Sequence, residues 1–252
     1  MGTHLSGVGA HRRGKVPAMG RELTGGTRIL AGVGLAGAVG FLLVLDLERR
    51  DIRVVTKALP MICLLLWLWQ PRERYSRWIF AGLALSLLGD VLLDVGPELF
   101  LPGLGAFLLA HVSYAAAYLT VTRRLHLARA LPFGVLAVGA SVALGPGLGG
   151  MALPVMAYVA VICTMGWRAW ALMGAPGLAR REQWLAFAGA LLFAASDGLL
   201  SIKLFVRPLP GAGYAIMSLY WAAQLCIALS ARGPGTSNSS VLDPGAAAKQ
   251  TA

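Results

Sequence analysis

The sequence predicts an all-α, polytopic transmembrane bundle of about eight helices, and three observations carry that prediction. Of 252 residues, 57% are hydrophobic and 13% charged, with a mean hydropathy of +0.69, a balance that excludes a soluble domain of this size. The apolar residues recur in runs of roughly 17 to 23, the length that crosses a hydrocarbon core of about 30 Å at 1.5 Å per residue. Basic residues gather in alternate connecting segments, the pattern of a chain threaded repeatedly through a bilayer.

The spans read, in order, Ile29 to Leu47, Val54 to Trp69, Trp78 to Val95, Leu99 to Thr122, Leu131 to Leu144, Met151 to Met173, Trp184 to Phe205 and Gly211 to Ser230. The fifth is the shortest, with Pro132 and Gly145-Pro146-Gly147 crowding its ends, and a seven-helix count follows if it fails to span. Residues 29–231 form the transmembrane domain. Residues 1–28, polar, basic and without an apolar stretch of their own, read as a cytoplasmic tail and not a signal peptide. Residues 232–252 are small and polar and read as a disordered tail.

A net charge of +11 invites a nucleic-acid partner, but the placement of the charge decides against one. With eight spans and a cytoplasmic N-terminus, Arg12, Arg13, Lys15, Arg21, Arg28, Arg72, Arg74, Arg77, Arg123, Arg124, Arg129, Arg168, Arg180, Arg181, Arg232 and Lys249 all lie inside, sixteen of the 22 lysines and arginines. Both termini are therefore expected in the cytoplasm and the protein in the cell membrane. Arg49, Arg50 and Arg53 on the outer side are the exception, offset in part by Glu48 and Asp51. Cys63, Cys163 and Cys226 fall inside spans, form no CxxC and read as packing residues. Gly32, Ala36 and Gly40, spaced by four, are expected to let another helix approach the first.

The informative positions are ionisable residues within the spans, because an Asp at a helix centre costs roughly 2.5–3.5 kcal/mol on insertion scales. Asp90 shares one face of the third span with Ser86 and Asp94 at i−4 and i+4, and Asp197 has Ser201 at i+4 in the seventh. His111, Tyr114 and Tyr118 stripe the fourth span, and Tyr220 and Gln224 the last. Lys57 and Pro60 open the second span near the outer surface, where an ammonium either anchors the helix at the headgroups or binds a lipid phosphate. The stretch Ser86 to Asp94 aligns with Phe193 to Ser201, 107 positions later, with Asp on Asp. Four spans separate them, so the sequence predicts a parallel four-helix repeat whose two carboxylates face one cavity.

Taken in order, Lys57-Ala58-Leu59-Pro60, Gly89-Asp90-Val91-Leu92-Leu93, Gly105-Ala106-Phe107 with His111 and Tyr114, Ser196-Asp197, and Tyr220 with Gln224 resemble the lysoplasmalogenase (YhhN-like) family of multi-pass membrane proteins. The resemblance covers about residues 54–228. It implies an eight-helix fold and a membrane-embedded hydrolase that cleaves the vinyl ether bond of lysoplasmalogen-type lysophospholipids, releasing a fatty aldehyde and a glycerophospho-headgroup. The residues suit that chemistry. Vinyl ether hydrolysis begins with protonation of the alkenyl carbon, which needs an acid still protonated near neutral pH, and a low-dielectric site shifts a carboxyl in that direction. A second, ionised carboxylate would stabilise the oxocarbenium ion or guide water to it, the division of labour seen in glycosidases.

Asp90 and Asp197 are thus the expected acid and base, in either order, with His111 orienting one of them or relaying a proton. Lys57 is expected on the lipid phosphate, and Tyr114, Tyr220 and Gln224 as further hydrogen-bonding groups. No cofactor or metal is implied, since no His and carboxylate cluster has ligand spacing. Two other classes use the same kinds of residue: a small proton-coupled transporter, which would favour broken helices, and a non-catalytic lipid-binding protein.

Overall fold

The computed structural model describes residues 25–47 and 49–231. The N-terminal tail up to residue 24, Glu48 and the C-terminal tail 232–252 lie outside the described residues, and with them Arg12, Arg13, Lys15, Arg21, Arg232 and Lys249. Among the described residues eight α-helices follow one another: α1 (Gly25–Val44), α2 (Arg50–Trp67), α3 (Arg74–Val95), α4 (Phe100–Val121), α5 (Leu131–Leu148), α6 (Ala152–Ala171), α7 (Arg180–Phe205) and α8 (Ala212–Ser230). Short 3-10 turns at Pro97–Leu99, Leu127–Arg129 and Gly149–Met151 connect some of them.

Six helical stretches of the described residues are long and apolar enough to cross a membrane, and one of these, Leu127–Ala171, contains both α5 and α6. α2 falls outside that set because Arg50, Asp51, Arg53 and Lys57 occupy its first half. Its remaining length is apolar. The fifth span is longer than the sequence suggests, because Pro146 sits inside α5 near its end and does not stop it.

Most of the neighbour pattern repeats after four helices, the exceptions being α3 on α8 and α5 on α7. α1 packs on α2, α2 on α3, α3 on α4 and α2 on α8; the counterparts are α5 on α6, α6 on α7, α7 on α8 and α4 on α6. Glycine marks close contacts in both halves. A Cβ on Gly82 of α3 would run into the ring of Tyr114 on α4, and one on Gly189 of α7 would come within 2.6 Å of Ile227 on α8. Gly82 and Gly189 are 107 positions apart, the same offset that relates the two aspartates.

The face of α1 that meets α2 differs from the expected stripe. Gly37 and Phe41 are its buried residues, Gly34 approaches Cys63, and nothing lies near Gly32. Ala36 is exposed as well. Gly40, the last of that stripe, does face α2, since a Cβ there would stand 3.5 Å from Thr56 Cγ2; steps of four overshoot the 3.6-residue turn, so a row at 32, 36 and 40 meets the contact only at one end, whereas 34, 37 and 41 stay on it. At that contact the carbonyl of Thr56, which Pro60 cannot serve with an N–H, lies 3.2 Å from where a Cβ on Gly37 would stand.

The opposite end of the bundle is tied by buried arginine. Arg168 of α6 is 2% exposed and donates to the carbonyls of Thr122 (2.5 Å) and Arg124 (2.9 Å), while Arg129 donates to those of Trp170 and Met173. Cys63, Cys163 and Cys226 are free thiols.

The glycine contacts give a direct test. Gly82→Ala should lower the melting temperature of the detergent-solubilised protein by the equivalent of about 1–3 kcal/mol, because Tyr114 has to move. Gly105→Ala on α4, where nothing lies within 4 Å, should leave it unchanged or raise it.

Candidate active site

Three cations line one face of α2: Arg50, Arg53 and Lys57 occupy i, i+3 and i+7. Each meets a group on the last two turns of α3. Arg50 donates to the Val95 carbonyl at 2.9 Å, Arg53 pairs with Asp94 at 3.3 Å, and the Lys57 ammonium lies 3.4 Å from both Asp90 and Asp94. Lys57 is 8% and Asp90 3% exposed, so the lysine is committed to two carboxylates within the protein. Opposite, Tyr220 of α8 donates to the second oxygen of Asp90 at 2.6 Å. Both oxygens of Asp90 therefore face a donor, one of them cationic.

Asp197 has different company. Tyr158 of α6 donates to its Oδ2, and Nε2 of His111 stands 3.9 Å from the same oxygen. Nδ1 of His111 is 2.6 Å from the Phe107 carbonyl. A carbonyl only accepts, so Nδ1 carries the hydrogen and a neutral ring presents the Nε2 lone pair toward Asp197. That nitrogen is buried and has no hydrogen-bond partner. No lysine or arginine pairs with Asp197 among the described residues.

The two aspartates line one cavity, together with Lys57, Tyr158, Ser196, Ser201 and Tyr220. The rest of its wall is apolar and includes Leu93, Leu104, Phe107, Leu200 and Met217. These residues come from the last turns of α3 and α7 and the first turns of α2, α4, α6 and α8. The cavity thus sits toward the end of the bundle that carries the α1–α2, α3–α4, α5–α6 and α7–α8 connections. Phe193, one turn before Asp197, closes the inner side: its ring stands on those of His111 (4.4 Å), Tyr220 (5.4 Å) and Phe107 (6.3 Å). Gly89 lets Phe107 reach this position, since a Cβ there would come within 2.6 Å of its ring.

Of the residues expected from the sequence, Lys57, Asp90, Asp197 and Tyr220 reach the cavity wall. His111, Tyr114 and Gln224 stand behind it. Tyr114 donates to Gln224 Oε1 at 2.7 Å and lies 3.3 Å from Ser86 Oγ, a link joining α3, α4 and α8 beneath the site. Asp94, at the rim, holds Lys57 and Arg53 together. Two participants escape a reading of the sequence. Tyr158 has no polar residue at helical spacing, so no stripe announces it, although aligning α6 on α2 by the four-helix repeat asks for a polar group in its first turns. Arg53 shows its pairing only once α2 is docked on α3.

Over residues 52–231 the sequence matches the YhhN family. The chain belongs to that family. Among its YhhN-type relatives, the lysoplasmalogenase TMEM86B of Homo sapiens is 38% identical over 181 residues, 70% of this chain and 74% of that protein. TMEM86B of Mus musculus is 35% identical over 212 residues, 82% of this chain and 88% of the mouse protein. A lysoplasmalogenase of Mycobacterium bovis is 34% identical over 170 residues, 62% of this chain and 61% of that one. No solved structure matches the chain at a significant level. The family match begins within α2, so α1 precedes it, whereas every residue of the cavity lies inside it.

Removing the lysine isolates its contribution to this YhhN site. Lys57→Met leaves Asp90 and Asp94 without their shared cation and should cost on the order of 3–5 kcal/mol. Adding Asp90→Asn should recover part of that loss, because Lys57 is the only cation paired with Asp90, whereas Asp94 keeps Arg53. Melting of the single and double variants in detergent measures both.

Proposed function

We propose that this chain hydrolyses the vinyl ether bond of lysoplasmalogens in the cell membrane, with Asp90 and Asp197 as its catalytic residues. The supporting observation is that two carboxylates share one largely apolar cavity but have unlike partners, a cation for Asp90 and only uncharged groups for Asp197. The lysoplasmalogenase names of relatives 34–38% identical agree with this reading.

In this account Asp197 is the general acid and Asp90 the carboxylate. Asp197 delivers its proton to the second carbon of the alkenyl chain, and the positive charge that develops on the first carbon and the ether oxygen is stabilised by ionised Asp90. Asp90 then takes a proton from water as the water oxygen bonds to the first carbon, giving a hemiacetal. Asp90 returns that proton to the glycerol oxygen as the carbon–oxygen bond breaks, and Asp197 takes the hemiacetal hydroxyl proton. A fatty aldehyde and a glycerophospho-headgroup leave, one water has been consumed, and both aspartates are reset. Tyr220 and Tyr158 hold the carboxyl groups in place, and neutral His111 borders Asp197 without adding a charge beside it.

Lys57 takes a role other than the phosphate contact expected of it, since its ammonium is already shared by two carboxylates. It keeps Asp90 ionised in an apolar setting. Tyr114 and Gln224 brace the helices that carry the site. Both chain ends lie in the cytoplasm on this reading, which puts the cavity toward the outer leaflet. A carrier would favour helices broken at its binding site, whereas α3 and α7 run without interruption through Asp90 and Asp197.

Asp90→Asn and Asp197→Asn should each lower kcat by about 10²- to 10⁴-fold while the protein still inserts and elutes as a folded species. Turnover at the wild-type rate in either variant would overturn the assignment. Hydrolysis in D2O should give an aldehyde with one deuterium on the carbon next to the carbonyl, read by mass spectrometry, since that hydrogen comes from the general acid.

A further inference from the structure

The cationic face of α2 extends beyond the residues that the proposed chemistry uses. Arg53 spends Nη2 on Asp94, but its Nε–H is buried and has no hydrogen-bond partner. A guanidinium is a planar fork suited to two parallel hydrogen bonds to a carboxylate or phosphate, and a buried donor left empty is costly. Arg50 stands one turn nearer the membrane boundary and uses Nη1 on the Val95 carbonyl, leaving the rest of its fork free for a second contact. Arg49 is not part of this set, because it is clasped to Asp51 at 3.0 Å on the surface.

Depth gives this pair a purpose. Arg53 precedes Lys57 by four residues, about 6 Å along the helix, and Lys57 is level with Asp90. In a lysoplasmalogen the glycerol carbons separate the phosphate from the vinyl ether by a handful of bonds, a comparable reach. A lipid whose vinyl ether lies between Asp90 and Asp197 therefore has its phosphate at the height of Arg53, near the headgroup region where α2 begins. We propose that Arg53, assisted by Arg50, forms the binding site for the phosphodiester of the substrate headgroup, and that Asp94 holds the Arg53 fork in place for it. The inference rests on the hydrolase reading above and adds the part of the substrate that the enzyme recognises.

The test compares wild type with Arg53→Gln and Arg50→Gln on two purified substrates, an alkenyl-glycerophosphocholine and the alkenylglycerol lacking phosphate. Arg53→Gln should raise KM for the phosphate-bearing lipid by about tenfold or more beyond any change it makes in KM for the alkenylglycerol, and Arg50→Gln should do so by less. Glycerophosphocholine should inhibit the wild-type enzyme competitively and lose that effect with Arg53→Gln. Equal losses on both substrates would assign Arg53 a structural role through Asp94 and overturn the proposal, as would an unchanged KM on both. Inhibition by inorganic phosphate without a phosphate-dependent change in KM would assign the site to a free anion and overturn the headgroup reading. Failure of the wild type to cleave either substrate is a different result, since it rejects the hydrolase reading itself.

Discussion

The site is organised by one buried ammonium group held between two carboxylates. Lys57 reaches Asp90 and Asp94 at 3.4 Å each, and in an apolar environment any one of these three charges alone would be prohibitive. Together they fix α2 against α3, set the rotamer of Asp90, and leave its second oxygen to Tyr220. Asp94 would be an unexplained acid without Lys57 and Arg53, and α2 would be a poor span without partners for its cations. The charged half of α2 and the acidic end of α3 are thus one unit, built by matching their helical spacings.

Placed in the context of the four-helix period, that unit has a counterpart from which the cation is missing. Asp90 receives groups from the preceding helix and from α8; Asp197 receives them from its own preceding helix and from α4. The preceding helix contributes Lys57 in one half and Tyr158 in the other. The two aspartates therefore have unequal electrostatic surroundings, a cation beside one and a hydroxyl beside the other.

Much of this was legible in the sequence because bilayer physics writes plainly. Spans follow from hydropathy, and Asp90 and Asp197 stand out because acids in such spans are expensive. The period of 107 residues anticipated that both would meet in one cavity. What the sequence withheld were relations between helices. Nothing local tells that Lys57 faces Asp90 and Asp94, that Tyr158 rather than Tyr114 touches a carboxylate, or that α1 turns Gly37 and not Gly32 to its neighbour. Tyr114 and Gln224 were visible as polar stripes, yet a stripe gives a face and not a depth, and theirs lies behind the cavity wall. The length of α5 was obscured by Pro146, which lies in the last turn of the helix and removes one backbone hydrogen bond without ending it.

The proposed chemistry requires the two aspartates of the resting protein to hold different protonation states. Infrared difference spectroscopy of the purified protein near neutral pH reads this through the carbonyl stretch of a protonated carboxyl group. The band should be present in the wild type, survive Asp90→Asn, and vanish with Asp197→Asn. A band lost with Asp90→Asn and kept with Asp197→Asn, or absent from the wild type altogether, would contradict it.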